Sequence, residues 1–246
     1  MMRIAGVTAW TAAVIMVVAT GCGGSTPDSP PAASPATAAS SSAPSSPTPK
    51  PPSKAEDTAT LKRATVTPAD LGKPWVEPKK VPSAGKAAEA CPGKPTATKQ
   101  VDTVASFRRD LTEGKGQGVN IGSFALRTLP TDDATDLKAA YAKDTAACKT
   151  FTDANKLFVV LTEEGPTSAD NADEILMSRA DRIYYDKAHK KLAYARHTVV
   201  ARTGRVVSYV SYAFLTTKAD PKAEDFTRTQ KLLATQLTKV TKEFAE

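Results

Sequence analysis

Leu192-Ala193-Tyr194-Ala195-Arg196-His197-Thr198-Val199-Val200-Ala201-Arg202, then Thr203-Gly204, then Arg205-Val206-Val207-Ser208-Tyr209-Val210-Ser211-Tyr212-Ala213-Phe214-Leu215, is the stretch that decides the fold. Two runs rich in β-branched and aromatic residues around a glycine turn read as a β-hairpin. With Thr203 and Gly204 as the loop, Val200 opposes Val207, Thr198 opposes Tyr209, Tyr194 opposes Ala213 and Leu192 opposes Leu215 on one face. The other face pairs Ala201 with Val206, His197 with Val210, Ala195 with Tyr212 and Ala193 with Phe214. Both faces are largely apolar, so something must pack on each. The column of alanines leaves room for a helix.

The chain supplies that helix directly afterwards. Asp220-Pro221 is a start signal, and Phe226, Leu233, Leu237, Val240 and Phe244 then fall on a single helical face running nearly to the C-terminus. Upstream of the hairpin, Glu174 to Tyr185 reads as a further strand. Leu157 to Leu161 is a continuous apolar run, short enough for a strand buried on both faces, and is the candidate for the central strand. Pro130 and Thr131 open a helix that ends near Thr150, with Asp132, Asp133 and Asp136 near its positive end and Ala134, Leu137, Tyr141 and Cys148 on one face. Val101 to Leu111 and Val119 to Leu129 read as strands joined by Gly114-Lys115-Gly116-Gln117-Gly118. That loop lacks dinucleotide-binding spacing and leads into a strand-like run, so it is read as a hairpin and not a phosphate cradle.

Nearer the start, Thr67-Pro68-Ala69-Asp70-Leu71-Gly72 reads as a short capped helical turn, followed by Trp75 in an extended segment. The expected architecture is one α+β domain over residues 61–246: a mainly antiparallel sheet of about five or six strands with helices packed on it.

The N-terminus sets the address. Met1, Met2 and Arg3 precede an uncharged apolar run from Ile4 to Ala19, and small residues lead to Cys22. Residues 1–21 read as a lipoprotein signal peptide and Cys22 as the lipidated first residue of the mature chain. Ala19 stands where leucine is commoner, which leaves an ordinary secretory cleavage as the rival. The address is extracytoplasmic in both cases, at the cell membrane if Cys22 is lipidated. Residues 22–60 are expected to form a disordered tether, its body from Gly23 to about Ser53 being Ser, Pro, Ala, Thr and Gly with only Asp28 and Lys50 charged. A tether of about 30 residues spans roughly 30 Å as a coil and about 90 Å fully extended.

Arg3 is the only charge in the signal, so the formal net charge of +7 becomes +6 in the mature chain. Outside a cell, the counterparts of such a surface are anionic headgroups, wall phosphates and carboxylates, and not nucleic acid. Two cysteines remain after Cys22. An oxidising compartment favours a Cys91–Cys148 disulfide, worth about 4 kcal/mol by loop-closure entropy.

The sequence offers no His-Glu-x-x-His, Gly-x-Ser-x-Gly or Walker motif. It has two histidines, His189 in a turn and His197 in a strand, the latter read first as a partly buried, hydrogen-bonded residue. Asp132-Asp133 and Glu163-Glu164 are adjacent in sequence and make no glycosidase pair by themselves. No enzyme, metal or cofactor is expected.

The order of elements resembles a known family. A Thr67 to Trp75 opening, an early Cys91, a helix ending in Cys148 and the Arg202 to Val207 turn before a terminal helix are similar to the extracellular sensor domain of the mycobacterial serine/threonine kinase H, a domain that also occurs as free-standing actinobacterial lipoproteins. The resemblance covers about residues 61–246. It implies an antiparallel sheet with helices and a ligand-binding cleft. The family commonly carries two disulfides in the domain, whereas only Cys91 and Cys148 are present here. The expected role is a non-enzymatic binding or sensing module that holds a small amphiphile or wall fragment, or meets an envelope protein. Trp75, Tyr194, His197, Tyr209 and Tyr212 are the candidate cleft residues. A lipid or glycolipid carrier, a wall-associated spacer and an envelope hydrolase are the alternatives.

Overall fold

The computed structural model describes residues 52–79, 102–114, 120–131, 136–152, 156–189, 191–214 and 226–245. Among them, eight strands form one sheet: β1 (Trp75–Val76), β2 (Ala105–Glu113), β3 (Asn120–Thr128), β4 (Thr150–Thr152), β5 (Phe158–Thr162), β6 (Glu174–Tyr184), β7 (Leu192–Thr203) and β8 (Val206–Phe214). Four helical segments accompany it: α1 (Lys54–Ala64), α2 (Pro68–Leu71), α3 (Leu137–Ala146) and α4 (Phe226–Phe244). The sheet order is β1-β2-β3-β8-β7-β6-β5-β4, and every neighbouring pair is antiparallel. This is the expected α+β class with more strands than the five or six foreseen.

The deciding hairpin forms, with its loop one residue later than expected. Thr203 pairs with Val206, so Gly204 and Arg205 are the turn. Gly204 has φ 53°, a left-handed position that a two-residue hairpin loop requires and glycine takes without a Cβ clash. Partners therefore shift: Val200 faces Tyr209 and His197 faces Tyr212. A slip of two residues leaves every side chain on its original face, so the division into faces survives.

Leu157 to Leu161 does not form the central strand. β5 lies between β6 and the short edge strand β4. Val159 and Leu161 are buried while Phe158 and Val160 are only half-buried, so this run is covered fully on one side only. The middle of the sheet is the β8–β7 pair.

One face carries α1, α2 and α4. On α4, Phe226, Leu233, Leu237 and Val240 are buried as their spacing required, with Phe244 half-buried at the end. Phe226, Leu233 and Leu237 pack with Val199, Ala201, Val210, Phe124 and Leu111, and Val240 and Phe244 with Leu61, Ala64, Leu126 and Val206. The start signal Asp220-Pro221 lies outside the described residues.

Order begins before Leu61, contrary to the expected tether boundary. Ser53 caps α1: the Glu56 N–H donates to Ser53 Oγ at 3.3 Å and the Ser53 N–H donates to the Glu56 carboxylate at 2.7 Å. On this helix Leu61 and Ala64 enter the core, and so does Asp57. Its carboxylate accepts from Thr128 Oγ1 at 2.8 Å and pairs with Arg205 in the β7–β8 turn. The α1–α2 connection is tied down twice more. Gln236 Nε2 donates to the Ala64 carbonyl at 2.7 Å, and Arg109 Nη1 donates to the Thr65 and Val66 carbonyls, each at 3.1 Å. The α2 turn closes as expected, with Thr67 donating to Asp70 and Gly72 at φ 72°.

The helix expected from Pro130 to Thr150 is shorter. α3 stops at Ala146, Cys148 lies just beyond it, and Asp132, Asp133 and Ala134 fall outside the described residues. It covers part of the opposite face, where Leu137 and Tyr141 meet Leu129, Leu176, Val200, Val207 and Tyr209.

Candidate functional site

The five expected cleft residues do not converge. Trp75, His197 and Tyr212 lie on the face that carries α1, α2 and α4, and Tyr194 and Tyr209 project from the other. Trp75 and Tyr212 are 6.3 Å apart between ring centroids, and Tyr212 stacks on Phe214 at 5.6 Å. The His197 ring lies flat on Phe226 at 4.1 Å and edge-on to Phe214 at 5.0 Å. At 1% exposure His197 is fully buried, not partly as expected, and no ligand reaches it in this conformation. Tyr212 donates to Glu113 at 2.8 Å, and burial pushes its phenol up from the ordinary value. This face is core.

The opposite face departs from the expected apolar surface. In register across β2, β3, β8, β7 and β6 stand Asp110, Ser123, Ser211, Thr198 and Arg179, forming a polar row at the middle of the sheet. All are buried or nearly so. In the next row Asp181 opposes Arg196. Asp181 takes Arg196 Nε on Oδ2 at 2.7 Å and Arg179 Nε on Oδ1 at 3.1 Å, with all three side chains 8% exposed or less. Burial alone would lower the Arg196 guanidinium, but the Asp181 charge raises it on balance, so Arg196 stays charged. Tyr209 sits beside this cluster, its phenol pushed up by burial.

A concave feature on this side lies between α3 and β6. Lys138, Ala142 and Thr145 recur at helical spacing along one side of α3 and face the Glu163–Thr167 connection and Ile175–Ser178 of β6. Together they enclose a cavity of about 350 Å³. β6 is irregular where it lines the cavity. The register steps from Ile175 opposite Ala201 to Met177 opposite Val200, leaving Leu176 as the extra residue of a bulge, which bends the strand. Ser178 Oγ donates to the Pro166 carbonyl at 2.5 Å and pins the loop, and Thr145 Oγ1 lies 3.4 Å from Met177 Sδ across the floor. Ala142, Leu176 and Met177 supply apolar surface. Lys138, Glu163 and Glu164 bring charges of both signs, with Glu164 also paired to Arg182 at 3.4 Å. Such a lining suits a small molecule with an apolar body and a charged end. It contains no histidine or cysteine. Among the described residues, no group of three or more His, Cys, Asp or Glu is placed to hold a metal ion.

Cys22 and Cys91 lie outside the described residues, and Cys148 is buried at 5% exposure. Among the described residues no helix is long and apolar enough to cross a membrane. Of the cavity residues, the sequence reading singled out only Glu163 and Glu164, as adjacent carboxylates that make no glycosidase pair, and it foresaw no cavity there. The ion cluster had one legible signal, Arg179-x-Asp181 at alternate positions of a strand, opposite a hairpin strand that also carries Arg196.

No protein-family model and no curated protein matches the chain. Among solved structures it is similar to the extracellular domain of PknH from Mycobacterium tuberculosis, at 13% identity and a TM-score of 0.43, over 78% of this chain and 98% of that one. It is also similar to an uncharacterized protein from Mycobacterium smegmatis, at 15% identity and a TM-score of 0.34, over 75% of this chain and 97% of that one. The first is the same kind of extracellular domain that the sequence resembles. Neither likeness carries a function or a residue role to this chain.

Proposed function

We propose that this protein is an extracytoplasmic lipoprotein, anchored through Cys22, whose domain is a non-enzymatic ligand-binding or sensing module with the α3–β6 cavity as its site. The observation that carries the reading is the cavity itself: about 350 Å³, apolar at its floor, with Lys138, Glu163 and Glu164 among its lining. That volume is at the small end of ligand sites and fits a small amphiphile or wall fragment. The address rests on residues 1–21 and the Ser/Pro/Ala/Thr-rich stretch after Cys22. A Cys91–Cys148 disulfide belongs to the same reading, since the compartment oxidises and Cys148 is already buried.

Native mass spectrometry of the protein purified from its own envelope tests the site. An adduct is expected on the wild type and is expected to be absent from Ala142→Trp, which fills the cavity from an exposed helix position. A clean apo mass from the wild type favours a structural spacer, and turnover in an envelope-extract screen favours an enzyme. Cys22→Ser is expected to abolish detergent-phase partitioning and palmitate labelling. A variant that still labels removes the anchor. A non-reducing peptide map that finds two alkylatable thiols at Cys91 and Cys148 removes the disulfide.

A further inference from the structure

The β6–β7 hairpin tip has no part in the cavity or the core, and its composition is unusual. Tyr185, exposed at 57%, is the sole exposed large hydrophobic side chain found among the described residues, and Lys191 Nζ lies 5.1 Å from its ring centroid. The Tyr185 N–H donates to the Lys191 carbonyl at 3.0 Å, which fixes the two side by side. On the other side of the tip the His189 ring stacks on Tyr184 at 4.7 Å and on Phe158 at 5.2 Å. Its φ of 57° shows a backbone bent to bring the ring there. Lys187, His189 and Lys191 are exposed, as is Lys156 two residues before β5. Asp186 is the one carboxylate in the segment 185–191.

We propose that this tip is a contact site for an anionic wall polysaccharide. Flat aromatic faces stack against the C–H faces of sugar rings, while neighbouring ammonium groups pair with phosphate or carboxylate substituents. The tip suits a polymer better than a lipid surface: Tyr185 is the one exposed large apolar side chain among the described residues, too little apolar area to enter a bilayer, whereas one ring beside the Lys187 and Lys191 ammonium groups is enough for a charged sugar chain. The chemistry of the tip and the test below do not depend on the Cys22 anchor proposed above.

The test is co-sedimentation of the full-length Cys22→Ser protein with purified wall sacculi that retain their anionic polymers, with sacculi stripped of them, and with phosphatidylglycerol vesicles. Expected is binding to intact sacculi that falls with salt and drops about tenfold on stripping. It should drop about tenfold again in Tyr185→Ser/Lys187→Glu/Lys191→Glu. Lys231→Glu/Lys242→Glu, which changes charge by the same sign on the exposed side of α4, and the cavity-filling Ala142→Trp should both bind as the parent does. The proposal is overturned if the parent does not bind sacculi, if the tip variant binds like the parent, or if the α4 variant loses as much as the tip variant. Preferential binding to vesicles that the tip variant loses makes the tip a membrane contact and also overturns it. An absent cavity ligand with intact tip binding defeats the cavity reading alone.

Discussion

The two faces of the sheet are built from the same strands and solve different problems. The face under α1, α2 and α4 is filled by rings and aliphatic chains: Trp75, Phe124, His197, Val199, Val210, Tyr212 and Phe226. Its polar groups are local ties, such as Gln236 to the Ala64 carbonyl. The other face buries a polar row and the Arg179–Asp181–Arg196 cluster beside a cavity. Replacing buried ion pairs by apolar groups is often neutral or stabilising, so such a cluster is weak evidence for stability and better evidence for a fixed arrangement of polar groups. The difference teaches that α4's face holds the fold together, while α3's face is shaped around positions that packing alone does not demand.

The sharpest way to break that contrast is Asp181→Asn. It leaves Arg179 and Arg196 buried without their carboxylate and is expected to cost about 3–5 kcal/mol by urea denaturation. Replacing the whole cluster, Asp181→Leu with Arg179→Leu and Arg196→Met, should recover most of the loss. A cost below about 1 kcal/mol for the single change would show that the cluster is not held as described. On the other face Leu237→Ala removes a fully buried α4 side chain and should cost about 3 kcal/mol, with no effect on ligand binding at α3–β6. If it removes the ligand instead, the faces are coupled.

A smaller effect is expected at Asp57, where α1 meets the β7–β8 turn. The hydrogen bond from Arg205 holds its carboxyl below the usual range, with burial opposing and Thr128 assisting. A depressed folded pKa contributes stability that is present above the unfolded value, about 4, and is lost as pH falls through the folded value. Asp57→Asn should therefore lose about 1–2 kcal/mol at neutral pH and show a flatter decline below about pH 4. Equal acid profiles for both proteins would remove the pair from the account. Smallest is Ser211→Ala in the polar row, expected to shift stability by less than about 1 kcal/mol. A larger loss would mean the row acts as one network, which a double-mutant cycle with Thr198→Val would measure.

Much of the framework was legible because it is written in periods. The β7–β8 run, the apolar stripe of α4 from Phe226 to Phe244, and the Thr67–Gly72 turn each follow from neighbours in sequence, and each formed. α1 was missed although Ser53-x-x-Glu56 is a readable capping box, because Leu61 was its one large apolar residue and Asp57 reads as surface until Arg205 is placed beside it. The candidate cleft went astray by proximity in sequence. Tyr209 and Tyr212, like Tyr194 and His197, are three apart, and an odd separation on a strand sends side chains to opposite faces.

By itself, then, the sequence determined the α+β class, the central hairpin, the two-sided sheet and the identity of the covering C-terminal helix, since these depend on alternation and helical spacing within short stretches. Tertiary structure decided the eight-strand order, the demotion of β5 from the centre, the joining of Asp181 to Arg196 and the cavity between α3 and the β6 bulge. Those features depend on which distant segments share an edge or a face, and register between strands is a property of pairs that neither strand encodes alone.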